Sequence, residues 1–152
     1  MKQNILFTCA GRRNYLINYF KEALNGKGLV LAADQDPTAA ALIDADKAII
    51  LPSFSESHYL DALLKACLDN EVSAIISLND HELPLLADNR KIFEDQGIRI
   101  LVSDSEVIDI TYDKWKTHNF LISNGFNSPK SYLNYEDVIA AIEAGELDFP
   151  IV

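Results

Sequence analysis

The sequence predicts an α/β fold, a Rossmann-like doubly wound parallel sheet, on three observations. Five short apolar runs recur between residues 4 and 102, helical patterns separate them, and the runs are continuous rather than alternating. Strands covered on both faces read as continuous apolar runs, and their regular exchange with helices is the mark of parallel βαβ units.

Each element follows from its residues. Asn4-Ile5-Leu6-Phe7-Thr8 reads as the first strand, and Cys9-Ala10-Gly11-Arg12-Arg13 as a small-residue turn. From Asn14 the period becomes helical, with Leu16, Tyr19, Phe20, Ala23 and Leu24 on one face and Gly26 and Gly28 closing the helix. Leu29 to Ala33 is a second strand, ended by Asp34-Gln35-Asp36-Pro37. After a helical piece from Ala39 to Ile43, Ala48 to Leu51 gives a third strand, stopped by Pro52. Ser55 or Ser57 caps a helix carrying Leu60, Leu63, Leu64, Cys67 and Leu68. Ala74 to Leu78 is the fourth strand. The polar turn Asn79-Asp80-His81-Glu82 then opens a helix with Pro84 in its first turn, where a missing amide proton costs little. That helix runs past Leu86, Arg90 and Phe93 to Gly97, and Ile98 to Val102 is the fifth strand.

The character changes near residue 104. A short helical piece runs from Asp104 to Ile110, and a helix from Asp113 to Asn124 ends at Gly125. Ser131-Tyr132-Leu133 reads as a strand, Tyr135 to Ala144 as a helix, and Phe149-Pro150-Ile151-Val152 as the opening of another strand. A chain that stops on such a strand reads as truncated.

Composition narrows the function classes. Of 152 residues, 49% are hydrophobic and 24% charged, a balance that argues against intrinsic disorder. The net charge is −10, the wrong sign for coating nucleic acid. No apolar run is long enough to span a bilayer, and the N-terminus lacks the core of a signal peptide. Cys9 and Cys67 stand far apart without CxxC spacing, so a zinc cage is excluded and a reduced, cytoplasmic thiol pair is expected. The charge is uneven: residues 1–33 carry five bases and one acid, a balance of +4 against −14 for the rest.

In doubly wound sheets ligands gather at the carboxyl ends of the strands. That rule selects three segments. In the first, Gly11 permits close backbone approach, free amides at the helix start attract anions, and Arg12-Arg13 adds guanidinium forks. Only one glycine is present, so the dinucleotide fingerprint GxGxxG is absent. The competing reading is a turn glycine beside two solvated arginines. In the second, Asn79, Asp80 and Glu82 can orient a substrate amine or hydroxyl, while Asn79 or Asp80 can equally cap the next helix. His81 reads as a surface or capping histidine, and no metal is assigned to it, because no second His or Cys stands at metal spacing. In the third, Asp34-Gln35-Asp36 resembles the acid that grips a ribose, but an Asx-turn before Pro37 is preferred. Trp115, Tyr132 and Tyr135 read as packing residues. No Ser-His-Asp or Cys-His arrangement is present, so no catalytic residue is assigned.

Five segments in register resemble one family. They are Ile5 to Arg13, Ile76 to Leu83, Thr111-Tyr112-Asp113-Lys114, Gly125 to Pro129, and Phe149 to Val152. Their order resembles the ATP-grasp ligases, in particular the carbamoyl phosphate synthase large-subunit-like proteins. The resemblance implies a pre-ATP-grasp domain over residues 1–110 and the first part of the ATP-grasp fold over residues 111–152. It implies ADP-forming joining of a carboxylate to an amine through an acyl phosphate, with ATP and magnesium as cofactors. Lys114 falls at a nucleotide-phosphate position, and Gly11, Arg12, Arg13, Asn79, Asp80 and Glu82 fall toward the substrate cleft. The second ATP lysine, the glycine-rich flap and the acidic magnesium ligands of the family would lie beyond Val152, so the chain alone is expected to be inactive. The expected partners are ATP and small carboxylate and amine substrates, with no nucleic acid or membrane and with a homodimer left open. The alternative is a non-catalytic Rossmann-like module that binds a nucleotide or a sugar.

Overall fold

The computed structural model describes residues 3–151. Two compact units make up the chain, Met1–Ile108 and Asp109–Val152.

In the first unit, five parallel strands form one sheet: β1 (Asn4–Thr8), β2 (Val30–Asp34), β3 (Lys47–Ile50), β4 (Val72–Ser77) and β5 (Arg99–Ile100). The strand order is β3-β2-β1-β4-β5, so β1 lies at the centre and the order reverses between β1 and β4. The register pairs Leu6 with Leu31 on one side and with Ile75 on the other.

Helices cover both faces. α1 (Asn14–Leu24) and α2 (Ala40–Asp44) lie on the face where Phe7, Val30 and Ala32 meet Ile17, Leu24 and Leu42. On the other face α3 (Tyr59–Asp69), α4 (Leu83–Asp88) and α5 (Arg90–Glu94) bring Leu63, Leu86 and Phe93 onto Leu6, Leu31 and Ile75. Neighbours along one strand, such as Leu6 and Phe7, therefore enter different cores. The period of two demands this, and the continuous apolar runs are its trace in the sequence.

Gly28 is not the helix stop expected of it. Asn25 ends α1 in the left-handed conformation, and Gly28 lies where β1 and β2 first meet. A β-carbon there would sit 2.1 Å from the Gln3 carbonyl oxygen, so only glycine lets the two chains approach.

Three further expectations in this unit change. The single helix from Leu83 to Phe93 is broken at Asn89, whose side-chain amide donates to the Leu85 carbonyl at 2.8 Å and competes with the helix ladder. Neither Ser55 nor Ser57 caps α3; the residue before it is His58, with no side-chain cap. The fifth strand is two residues long, paired on one side only, and Arg90 takes the carbonyls of Val102 and Ser103 that a longer strand would use.

α6 (Ser105–Tyr112) begins in the first unit and ends in the second, which also holds α7 (Lys114–Ser123) and α8 (Tyr135–Glu143). Asp113 caps α7, accepting from the backbone amides of Trp115 and Lys116 at 2.8 and 3.1 Å. Ser131 to Leu133 is not a strand, and neither is Phe149 to Ile151; Val152 lies outside the described residues. A strand needs a neighbour for its backbone groups, and among the described residues this unit has none to offer.

Candidate functional site

The site begins where β1 and β4 end. Thr8 and Ser77 are register partners, and the Leu78 amide still donates to the Thr8 carbonyl at 3.1 Å. Beyond that bond the chains part, because α1 packs on one face of the sheet and α4 on the other. A crevice opens at this reversal of strand order, as in other doubly wound sheets.

The turn after β1 is tightly wound. Cys9 and Gly11 both adopt left-handed conformations, at φ 49° and 53°. A left-handed cysteine costs about 1–2 kcal/mol, and the turn is held by bonds from the Ala10 amide to the Ala33 carbonyl and from the Arg13 amide to the Ala10 carbonyl. The Gly11 amide, the one expected to attract an external anion, donates to Asp34 Oδ2 at 2.8 Å. Asp34 Oδ1 accepts from the Asp36 amide at 3.0 Å, the Asx-turn preferred from the sequence.

The turn after β4 is built differently from the capped helix start considered above. Asn79 Oδ1 accepts from the His81 amide at 3.0 Å, and the residue before α4 is Glu82, with no side-chain cap. Ser77 Oγ accepts from the Asn79 amide at 3.2 Å.

Glu82 lies fully buried beneath both turns. Its carboxylate accepts from Thr8 Oγ1 at 2.7 Å, from Ser77 Oγ at 2.6 Å and from the Tyr59 hydroxyl. One carboxylate therefore ties together β1, β4, α3 and α4. Burial and the adjacent Glu82 carboxylate push the Tyr59 phenol well above its ordinary range, so it stays a donor.

Three adjoining hollows open around these turns. Gly11, Arg12 and Arg13 face Asp34, Asp36 and Thr38 across a wide recess. Arg13 also borders a second recess with Cys9, Asn79, Asp80 and His81. A third hollow is a cavity of about 120 Å³. Ala33, Leu51, Pro52 and Phe54 supply its apolar wall, and Cys9, Asp34, Gln35, Ser53, Tyr59 and Asn79 its polar side. Arg13, Asn79 and Asp80 are thus brought together, while Glu82 supports them from below. Lys114 stands exposed on the first turn of α7 in the second unit.

Sequence reasoning passed over Thr8, Tyr59 and Ser77. A hydroxyl ending each of two strands was the signal available for Thr8 and Ser77. Tyr59 offers none, since it reaches Glu82 only through the crossover of α3.

Cys9 borders two of the hollows but is a poor nucleophile. Burial, then the Glu82 and Asp34 carboxylates, push its thiol far above the ordinary value, with only Asn79 opposing. Burial alone raises the Cys67 thiol to about 12. Both thiols should therefore resist a colorimetric disulfide reagent at pH 8 in the native chain and react fully in denaturant. Glu82→Gln should speed Cys9 labelling and leave Cys67 unchanged. Prompt native labelling of Cys9 would contradict this electrostatic reading.

No group of three or more His, Cys, Asp or Glu among the described residues could hold a metal ion, and no helix among them is long and apolar enough to cross a membrane.

Comparison with known proteins places this geometry. The fold is shared with the biotin carboxylase domain of a single-chain bacterial carboxylase, at TM-score 0.60 and 21% identity over 94% of this chain and 34% of that one. N5-carboxyaminoimidazole ribonucleotide synthetase from Thermotoga maritima gives 0.61 and 20%, over 94% and 36%. L-amino acid ligase from Bacillus licheniformis gives 0.61 and 18%, over 88% and 35%. The chain thus spans about a third of the length of these structures. No curated protein matches it in sequence. Residues 5–101 match the family described as PylC-like, N-terminal domain. On that match the chain belongs to the PylC-like N-terminal domain family, the pre-domain of ATP-grasp proteins.

Proposed function

We propose that this chain is the leading part of an ADP-forming carboxylate–amine ligase, resembling the carbamoyl phosphate synthase large-subunit-like proteins, in which residues 1–110 line the substrate cleft. The observation that carries this reading is the recess that Arg13 shares with Asn79 and Asp80 at the reversal of strand order. Arg12 and Arg13 hold the anionic group of the carboxylate substrate through two-pronged contacts. Asn79 and Asp80 orient the substrate's polar groups, and Glu82 acts from beneath by fixing both turns. Gly11 gives the turn its shape, its amide being held by Asp34.

Residues 111–152 supply the start of the nucleotide site. Lys114, exposed at the first position of a ten-residue helix, offers a flexible cation that can reach a phosphate. Activation of the carboxylate as an acyl phosphate is the chemistry this reading assigns. Magnesium, which the resemblance implies, finds no acidic cluster among the described residues.

The test is ADP formation by the enzyme that carries this chain, with each substrate varied separately. Lys114→Ala should raise the KM for ATP roughly ten- to a hundredfold, the loss of one charge-assisted contact worth about 1.5–3 kcal/mol. Arg12→Ala and Arg13→Ala should raise the KM for the carboxylate and leave that for ATP unchanged. Lysine at either position should rescue only in part. Wild-type constants in both arginine variants would return the pair to a solvated surface. Weaker ATP in those variants would make the anion at this turn nucleotide phosphate.

A further inference from the structure

We propose that the cavity bounded by Cys9, Asp34, Phe54, Tyr59 and Asn79 receives a neutral, hydroxyl-bearing ring, and that the carboxylate substrate is therefore a sugar acid. This inference rests on the ligase reading for the carboxylate and on the cavity itself for the ring.

The lining decides the chemistry. No lysine, arginine or histidine borders the cavity. Asp34 lines it directly, and the Glu82 carboxylate lies just behind the Tyr59 hydroxyl. An anion would be repelled there, and the upward push of these two carboxylates on the Cys9 thiol reports the same negative field. A cation is also a poor match. The Asn79 side-chain oxygen is committed to the His81 amide, and its NH2 group, which turns one N–H to the Cys9 sulfur, keeps a second N–H to offer at the cavity edge. Both Asp34 oxygens already accept a backbone amide. A group that donates to Asp34 and accepts from Asn79 satisfies both sides, and a hydroxyl does each.

The opposite wall is apolar, with Leu51, Pro52 and Phe54 grouped together. The C–H face of a saturated ring can rest on such a wall while its hydroxyls reach the polar side. About 120 Å³ is room for several waters, the scale of a single small ring. Cys9 and Asn79 form the boundary with the recess that holds Arg13, so a carboxyl group on the ring would leave the cavity toward that guanidinium. A sugar acid presents both features in one molecule.

The test is calorimetric titration of the 152-residue chain with glucuronate, glucose, glucose 6-phosphate and glutamate, without ATP. Glucuronate should bind saturably and more tightly than the other three. Phe54→Ala and Asn79→Ala should each weaken it roughly tenfold or more. Gln35→Ala, at an exposed position that leaves the core untouched, should weaken it less but measurably. Arg13→Ala should weaken glucuronate and leave glucose unchanged. Circular dichroism confirms that each variant is folded. The proposal is overturned if glucuronate fails to saturate by about 10 mM, if glutamate or glucose 6-phosphate binds more tightly, or if Gln35→Ala and Asn79→Ala leave its affinity unchanged. Because binding is read without ATP, failure of ADP formation would sink the ligase reading and leave the cavity assignment standing. Failure of sugar binding would do the reverse.

Discussion

Replacing Glu82 by alanine is expected to destabilise the chain by about 3–5 kcal/mol, because two buried hydroxyls lose their acceptor at about 1–3 kcal/mol each. The Thr8 and Tyr59 hydroxyls would lose their acceptor in space that water does not reach, and Ser77 would lose the bond that anchors the Asn79 turn. Glu82→Gln keeps one acceptor oxygen and should cost about half as much. Tyr59→Phe, which removes one donor, should cost about 1–2 kcal/mol. Denaturant unfolding with an unchanged slope is the measurement. A Glu82→Ala chain within about 1 kcal/mol of the parent would show that water replaces the carboxylate and that the network is not what holds the two turns. Ligand binding should fall in these variants as well, because the same carboxylate sets the floor of the crevice.

Phe93→Ala should cost about 3–5 kcal/mol by a different route. The ring is fully buried on α5 against the core that also holds Leu86, Ile98 and Ile100. Truncation removes that burial and leaves a void which the short helix can only partly close. For a chain of this size the midpoint of thermal unfolding should drop by about 10 °C. Phe93 lies away from the crevice, so binding below the transition should be unchanged. A variant that lost binding at full fold would show that the two ends of β4 are coupled. Phe93 and Glu82 thus separate stability from site geometry: one variant should lose only the first, the other both.

The sheet was legible because burial on both faces leaves a local record. Ile5-Leu6-Phe7 and Leu29-Val30-Leu31 carry that record in consecutive apolar residues, and the period of two needs no long-range information. Elements that depend on a partner elsewhere were less legible. Ser131 to Leu133 has strand-like residues but nothing beside it to pair with, and the break at Asn89 hangs on one side-chain amide. The site divides in the same way. Arg12, Arg13, Asn79 and Asp80 were found because the strand-end rule names them by position. The bond between Tyr59 and Glu82 spans 23 residues, and that between Gly11 and Asp34 also spans 23. Each depends on which strands become neighbours, which the crossovers decide. Gly28 is the plainest case: its need for a bare α-carbon comes from Gln3, a residue it meets only once β1 and β2 have paired.

The contact between Asp34 and the Gly11 amide has a consequence for ligand choice. A carboxylate tethered to the next strand competes for that amide at an effective concentration in the millimolar range or above. A free nucleotide must outbid it from solution and would also bring its phosphates against the charge of Asp34. The fold thus holds an internal competitor for that amide, covalently attached. A domain with the strand order of a cofactor binder has one backbone donor of its first turn occupied from within, and a phosphate drawn to that amide must first displace Asp34.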